Sequence, residues 1–250
     1  DRCLSRGLGD VYKRQGDARA FFGAQDESGA LALEKRHWLE TRPEFCEALI
    51  PEGEPILRET WQLAVDWGLI PESEPIGGVI ELAKCWEPDF LFMDRDTMKL
   101  AGGCVCFPSS WSLQHATGKT VDEVHDLVPR LNSQIGSRID QFLRRLSSDQ
   151  AFCRENWGLT RSGELNYHPE LERERIDESV ALEDLFLRVE HQLFMAVPSG
   201  VVMGIRIENC PMANLKTDPG IWETVTTKLR RMPDDVAAYK GLGALQRVAS

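Results

Sequence analysis

The stretch Leu185–Glu208, LFLRVEHQLFMAVPSGVVMGIRIE, decides how the chain is read. Two apolar runs, Leu185–Val197 and Val201–Glu208, flank Pro198-Ser199-Gly200. Strand-like runs joined across such residues form a β-hairpin. Alternation along the first arm puts Leu187, Val189 and His191 on one side and Arg188, Glu190 and Gln192 on the other. In the second arm Val201, Met203, Ile205 and Ile207 share a side, opposite Val202, Gly204, Arg206 and Glu208. If Val197 pairs with Val201, Gln192 lies opposite Arg206 and Glu190 opposite Glu208. That register gathers Arg188, Glu190, Gln192, Arg206 and Glu208 on one sheet face. A one-residue slip scatters them, because side chains alternate with a period of two. The cluster has two readings. It is either a solvated face of cross-strand ion pairs, each worth little, or the polar wall of a site.

Cys153–Leu159 reads as a further short strand, and Phe90–Met93 with Met98–Phe107 as a second hairpin ended by Pro108. Leu57, Trp61, Ala64 and Val65 recur at helical spacing within Ile56–Trp67. So do Ile135, Ile139, Phe142, Leu143 and Leu146 within Asn132–Leu146, and Trp222, Val225, Leu229 and Met232 within Pro219–Met232. Thr120 and Glu123 make a capping box for the short helix TVDEVHDLV. Residues 31–50 read as short helical or irregular pieces, Gly68–Gly78 as a turn-rich connector and Gly163–Asp184 as an acidic loop. The sum is an α+β fold: about five mostly antiparallel strands with helices on one side.

The 250 residues give room for one large domain. A net charge of −11 argues against a nucleic-acid or anionic-membrane partner, and no apolar run approaches membrane-spanning length. Seven cysteines, scattered and odd in number, fit a reducing cytoplasmic setting better than a disulfide scaffold. Residues 1–15, DRCLSRGLGDVYKRQ, carry no hydrophobic period and resemble a translated adaptor or assembly scar. They are expected to be a non-native or disordered leader before a single domain, 16–250, with its core at 31–243.

Few other residues carry a chemical signature. His125 sits beside Val124 and Leu127-Val128. A lone histidine there is either structural or an axial haem ligand. His37, His115, His168 and His191 carry no motif. Cys104 and Cys106 share a strand face without the second pair a zinc site needs. Dinucleotide, phosphate-loop and nucleophile-elbow motifs are lacking from the sequence. The seven tryptophans read mostly as core, though a planar apolar ligand would use the same walls.

Six segments, in order, resemble the haem-dependent oxidative N-demethylase family. They are Trp86–Trp111, with its CFPSSW end; Gly118–Asn132, with His125 and Pro129; Asn156–Leu159; Arg188–Gln192; Gly204–Glu208; and Tyr239–Leu242, YKGL. The resemblance spans about residues 31–243. It implies a PAS-like antiparallel sheet holding haem b, with helices packed on the haem-binding side. It implies His125 as the iron ligand, with Arg188 and Gln192 also on the cofactor, and Glu190, Arg206 and Trp157 lining the catalytic side. Glu190 and His125 would then face one cavity from opposite walls. It further implies dioxygen-dependent demethylation of a small alkylamine with release of formaldehyde. Electrons would come from partner subunits carrying FMN and an iron–sulfur cluster. The competing expectation is a non-catalytic haem-binding PAS-type sensor or interaction protein. Two departures from the family pattern stand out: Leu127 and Arg130 replace a proline and a glycine around Pro129, and His191 replaces an arginine.

Overall fold

The computed structural model describes residues 14–125, 137–177, 179–243 and 245, with only the backbone of Arg14, His125, Ser137 and Arg138. The described strands are β1 (Arg14–Gln15), β2 (Glu47–Leu49), β3 (Asp89–Asp94), β4 (Leu100–Cys104), β5 (Ala151–Thr160), β6 (Phe186–Val197) and β7 (Gly200–Pro211). They form one antiparallel sheet in the order β1-β5-β6-β7-β3-β4-β2. The five longer strands, β3 to β7, are the expected core. The first and last of them, β3 and β7, lie side by side at the centre, an arrangement compatible with a PAS-like sheet. Two short edge strands were not expected. The first consists of Arg14 and Gln15, counted by sequence with the leader, which pair with Cys153 and Phe152.

The late hairpin forms in a register one residue tighter than the sequence suggests. Val197 pairs with Gly200, which sets His191 opposite Arg206, Gln192 opposite Ile205, Glu190 opposite Ile207 and Val189 opposite Glu208. The turn is therefore the two residues Pro198-Ser199. Ser199 is held by Glu59, whose carboxylate accepts from its backbone N–H (2.8 Å) and its hydroxyl (2.6 Å). Gly200 joins the ladder because it must be bare: a Cβ there would lie 2.4 Å from the Met93 carbonyl and 2.4 Å from Ile56 Cδ1. Close backbone approach is what glycine permits inside a strand. The tighter turn moves the whole returning arm to the other side of the sheet.

One face consequently carries Arg154, Asn156, Arg188, Glu190 and Gln192, beside an apolar strip of Ile207, Ile205, Met203 and Leu91. The opposite face carries Glu155, Trp157, His191, Arg206 and Glu208. The main core takes residues from both faces, Leu91, Ile205 and Ile207 from the first, and its aromatic part lies under the second. Gly204 makes room for Phe21 and Phe22, and Phe22 packs on Trp86 (4.1 Å between centroids), which meets Phe90 edge-on (5.6 Å). The helix Gly53–Asp66, slightly longer than its periodicity predicts, adds buried Ile56, Leu57, Trp61 and Ala64. Burying each large apolar side chain contributes about 1.5–3 kcal/mol. A smaller core at the far end gathers Trp157, Leu159, Leu187 and Val189 against the helix Pro219–Arg230 and Leu242. On the polar face the helix Ser137–Arg145 lays Phe142 against Phe152 (5.4 Å) and Phe194 (5.9 Å).

The entry to β3 is pinned from a distance. Lys35, in the helix Ala30–Thr41, is 2% exposed. Its Nζ donates to the carbonyls of Trp86 (3.0 Å), Glu87 (3.2 Å) and Pro88 (2.7 Å) and stands 3.4 Å from Asp89 Oδ1. Asp89 Oδ2 in turn accepts from the Phe107 backbone N–H at 2.8 Å. This links the segment after β4 to the end of the polar face.

Candidate functional site

The polar face carries a continuous run of hydrogen bonds across β5, β6 and the segment that follows β4. Arg154 Nε donates to Gln192 Oε1 (2.6 Å), and Gln192 Nε2 donates to Glu190 Oε2 (2.8 Å). From the other side Arg188 Nε donates to Ser109 Oγ (2.8 Å), whose hydroxyl donates to Glu190 Oε1 (2.6 Å). Asn156 Nδ2 adds a longer contact to Glu190 Oε2 at 3.3 Å. One carboxylate thus sits at the centre, capped by neutral donors, with an arginine at each end. The arginines are fixed differently. Arg188, 2% exposed, also gives Nη2 to the Phe107 carbonyl (2.8 Å) and lies over the Tyr167 ring. Its Nη1 is buried without a partner among the described residues. Arg154 is half-buried over the Phe194 ring. Burial pulls both guanidinium groups below their ordinary pKa, with Glu190 opposing the shift.

Local sequence explains the arrangement. Alternation along β6 sends Arg188, Glu190 and Gln192 to one side, and the matching alternation in β5 brings Arg154 and Asn156 beside them. Cys106-Phe107-Pro108-Ser109 leaves β4 and crosses the sheet end, with the Phe107 N–H bonded to Asp89 and its carbonyl to Arg188. Ser109 lies in a segment without periodicity, so only the CFPSSW resemblance covers it, without marking it as a site residue. Arg154 and Asn156 were legible as alternating members of a strand, but their partners were not.

The expected grouping of Glu190 with Arg206 and Glu208 is corrected by the register. Arg206 stands on the opposite face, where it ion-pairs with Glu87 through Nη1 and donates Nη2 to the carbonyls of Phe21 (3.3 Å) and Ala24 (2.6 Å). Glu208 is beside His191 there, 3.2 Å from Nε2, with Glu155 3.5 Å from Nδ1. Trp157 also points away from Glu190 into the smaller core, at 8% exposed. An open hollow of about 390 Å³ borders Phe21, Glu155, His191 and Arg206, and Arg154 and Gln192 as well. Trp157 still reaches the site through its backbone. Its carbonyl accepts from Lys240 Nζ at 2.8 Å, bringing Tyr239-Lys240 of the YKGL segment to the β5 edge. Burial lowers the Lys240 pKa and raises that of Tyr239, with Glu190 close enough to act on both.

His125 closes the helix Val121–His125, whose Thr120–Glu123 capping box forms as expected. Its side chain and residues 126–136, including Pro129, lie outside the described residues. Val121 and Val124 of that helix pack on the main core. Cys104 and Cys106 are buried with sulfurs 3.9 Å apart. The mutual contact and burial hold the Cys104 thiol well above its usual pKa, and burial does the same for Cys106. They are core thiols. Among the described residues no cluster of three or more His, Cys, Asp or Glu could hold a metal ion. No described helix is long and apolar enough to cross a membrane.

The model of the family described as haem-dependent oxidative N-demethylase, alpha subunit-like, matches residues 56–250, well over half the chain. The chain belongs to that family. All six residues of the hydrogen-bonded run, Ser109 to Gln192, fall within the matched span. The family is described as haem-dependent and as alpha subunit-like, a subunit of a multi-component demethylase.

Proposed function

We propose that the Glu190 face is the substrate side of a haem site, with His125 as the iron ligand. The chain then carries out dioxygen-dependent N-demethylation of a small amine, with electrons delivered by flavin and iron–sulfur partner subunits. The observation that carries this reading is the single half-buried carboxylate, Glu190, at the centre of a run of donors. The residues fit the group. The fit rests on the donor set: Arg154, Gln192 and Arg188, whose Nη1 is buried without a partner among the described residues, suit a charged rim, while Ile207, Ile205 and Leu91 on the same face are already buried in the core at 4–8% exposed. Bound there, haem supplies the one-electron and dioxygen chemistry that none of the side chains can.

The chain's own residues hold and orient. Ser109, Gln192 and Asn156 fix the Glu190 carboxylate through both oxygens, leaving its remaining lone pairs to receive an amine N–H. Arg188 keeps the Ser109 hydroxyl proton turned toward Glu190 by donating to its oxygen. Neutral capping donors leave the carboxylate's negative charge for a cationic amine. The amine's oxidised methyl group leaves as formaldehyde.

The test is a haemin titration followed optically, with His125→Ala beside the wild type. A Soret band in the wild type that is lost or displaced in His125→Ala is the expected result. No band in the wild type overturns the reading. With haem bound, Glu190→Gln should weaken amine binding and formaldehyde release by roughly ten- to a hundredfold, the worth of a charged hydrogen bond. Unchanged binding removes Glu190 as the anchor.

A further inference from the structure

Arg154 is anchored without being neutralised. Its Nε is spent on Gln192 Oε1, and its guanidinium lies 5.4 Å from the Phe194 ring centroid. Neither of its two terminal nitrogens has an acceptor among the described residues, and neither is sealed from solvent in the way Arg188 Nη1 is. Other arginines of the chain have carboxylate partners within 4 Å: Arg144 with Asp140, Arg173 with Glu164, and Arg206 with Glu87. Arg154 has none there among the described residues, although Glu190 lies on the same face. Gln192, 4% exposed, stands between the two and bonds to both. It fixes the direction of the Arg154 fork and keeps Glu190 from closing onto it.

A guanidinium fixed at one edge presents its other edge as two parallel N–H donors, the geometry that matches a carboxylate. A half-buried cation without a counter-ion is costly, and an incoming anion recovers that cost. We propose that Arg154 binds a carboxylate of a ligand on this face, with Gln192 as its positioning residue. The ligand carboxylate has two possible sources. One is a propionate of haem, which rests on the haem reading above. The other is the carboxylate of a zwitterionic substrate, an N-methylated amino acid whose ammonium meets Glu190 while its carboxylate meets Arg154.

The experiment compares wild type with Arg154→Gln and Arg154→Lys in three titrations. The first two use haemin and the dimethyl ester of haemin, whose propionates are blocked. The third uses N,N-dimethylglycine beside dimethylamine, read by calorimetry on the protein with and without haem. If the propionate is the occupant, wild type binds haemin roughly ten- to a hundredfold tighter than its diester. Arg154→Gln erases that preference, and Arg154→Lys, lacking the fork, restores only part of it. If the substrate is the occupant, haemin affinity is unchanged in Arg154→Gln. The preference for dimethylglycine over dimethylamine then falls by a similar factor. Arg154→Gln that leaves both preferences intact overturns the proposal. A wild type that takes up no haemin removes the haem reading alone, because dimethylglycine binding to the apoprotein still decides the role of Arg154. Thermal unfolding of each variant separates these losses from misfolding.

Discussion

The two faces of the β5–β6–β7 sheet spend their charges in opposite ways. On one, Arg206 is matched to Glu87 and two carbonyls, and His191 lies between Glu155 and Glu208. On the other, Glu190 is met by a serine, a glutamine and an asparagine, and the two nearest arginines keep their terminal nitrogens away from it. The first pattern closes charge on itself and ties the N-terminal helix Ala18–Gly23 to the sheet. The second leaves charge available. Strands of the same hairpin produce both, so the difference is not one of composition. It comes from which side chains the register brings within reach.

Arg206→Met gives the largest expected effect and tests the closed side. It leaves Glu87, whose side chain is 3% exposed, with only the Asp26 N–H. Stability should fall by about 2–4 kcal/mol, measured by urea unfolding, while haemin uptake stays as in wild type. Stability retained with haem lost would return Arg206 to the functional face. A smaller effect is expected in the middle of the open side. Ser109→Ala removes the hydroxyl shared by Arg188 and Glu190, at about 1–3 kcal/mol. Combined with Glu190→Gln in a double-mutant cycle, it should show coupling of at least about 0.5 kcal/mol. Additive losses would mean that Ser109 and Glu190 do not act as a unit. The smallest effect belongs to neither face. His168 is 3% exposed, stacks on Phe45 at 4.3 Å, and is held below its ordinary pKa by burial. The unfolded chain therefore binds this proton first as pH falls. Stability should decline below about pH 6.5 and level off below the native value. His168→Phe should flatten that slope. A slope of the same size in both proteins would assign it to another group.

Much of this was legible in the residues. Alternation placed Arg188, Glu190 and Gln192 together, and periodicity found the helices Gly53–Asp66 and Pro219–Arg230 to within a few residues. What failed was the partner of each strand position. The turn length depends on Glu59, 140 residues away in sequence, and on the space that Ile56 and Met93 leave at Gly200. No local pattern carries that information. The helix Val79–Cys85 follows directly on the Gly68–Gly78 connector and is too short for its spacing to show a helical period. Ser109 and Lys240 act from non-repeating segments, so only the folded chain shows that they converge on Glu190 and on the strand edge beside it.

The Pro198-Ser199 turn has a consequence for how such a protein can change. Its own side chains touch nothing in the site, yet its length assigns every β7 residue to a face. A one-residue insertion there, unless a bulge absorbed it, would carry Arg206 and Glu208 across to Glu190 and send Ile205 and Ile207 the other way. Substitution tinkers with the site one group at a time, whereas a change in turn length exchanges a whole row of groups in a single step. In a lineage of such chains, insertions and deletions at this turn are where a change of chemistry would be written.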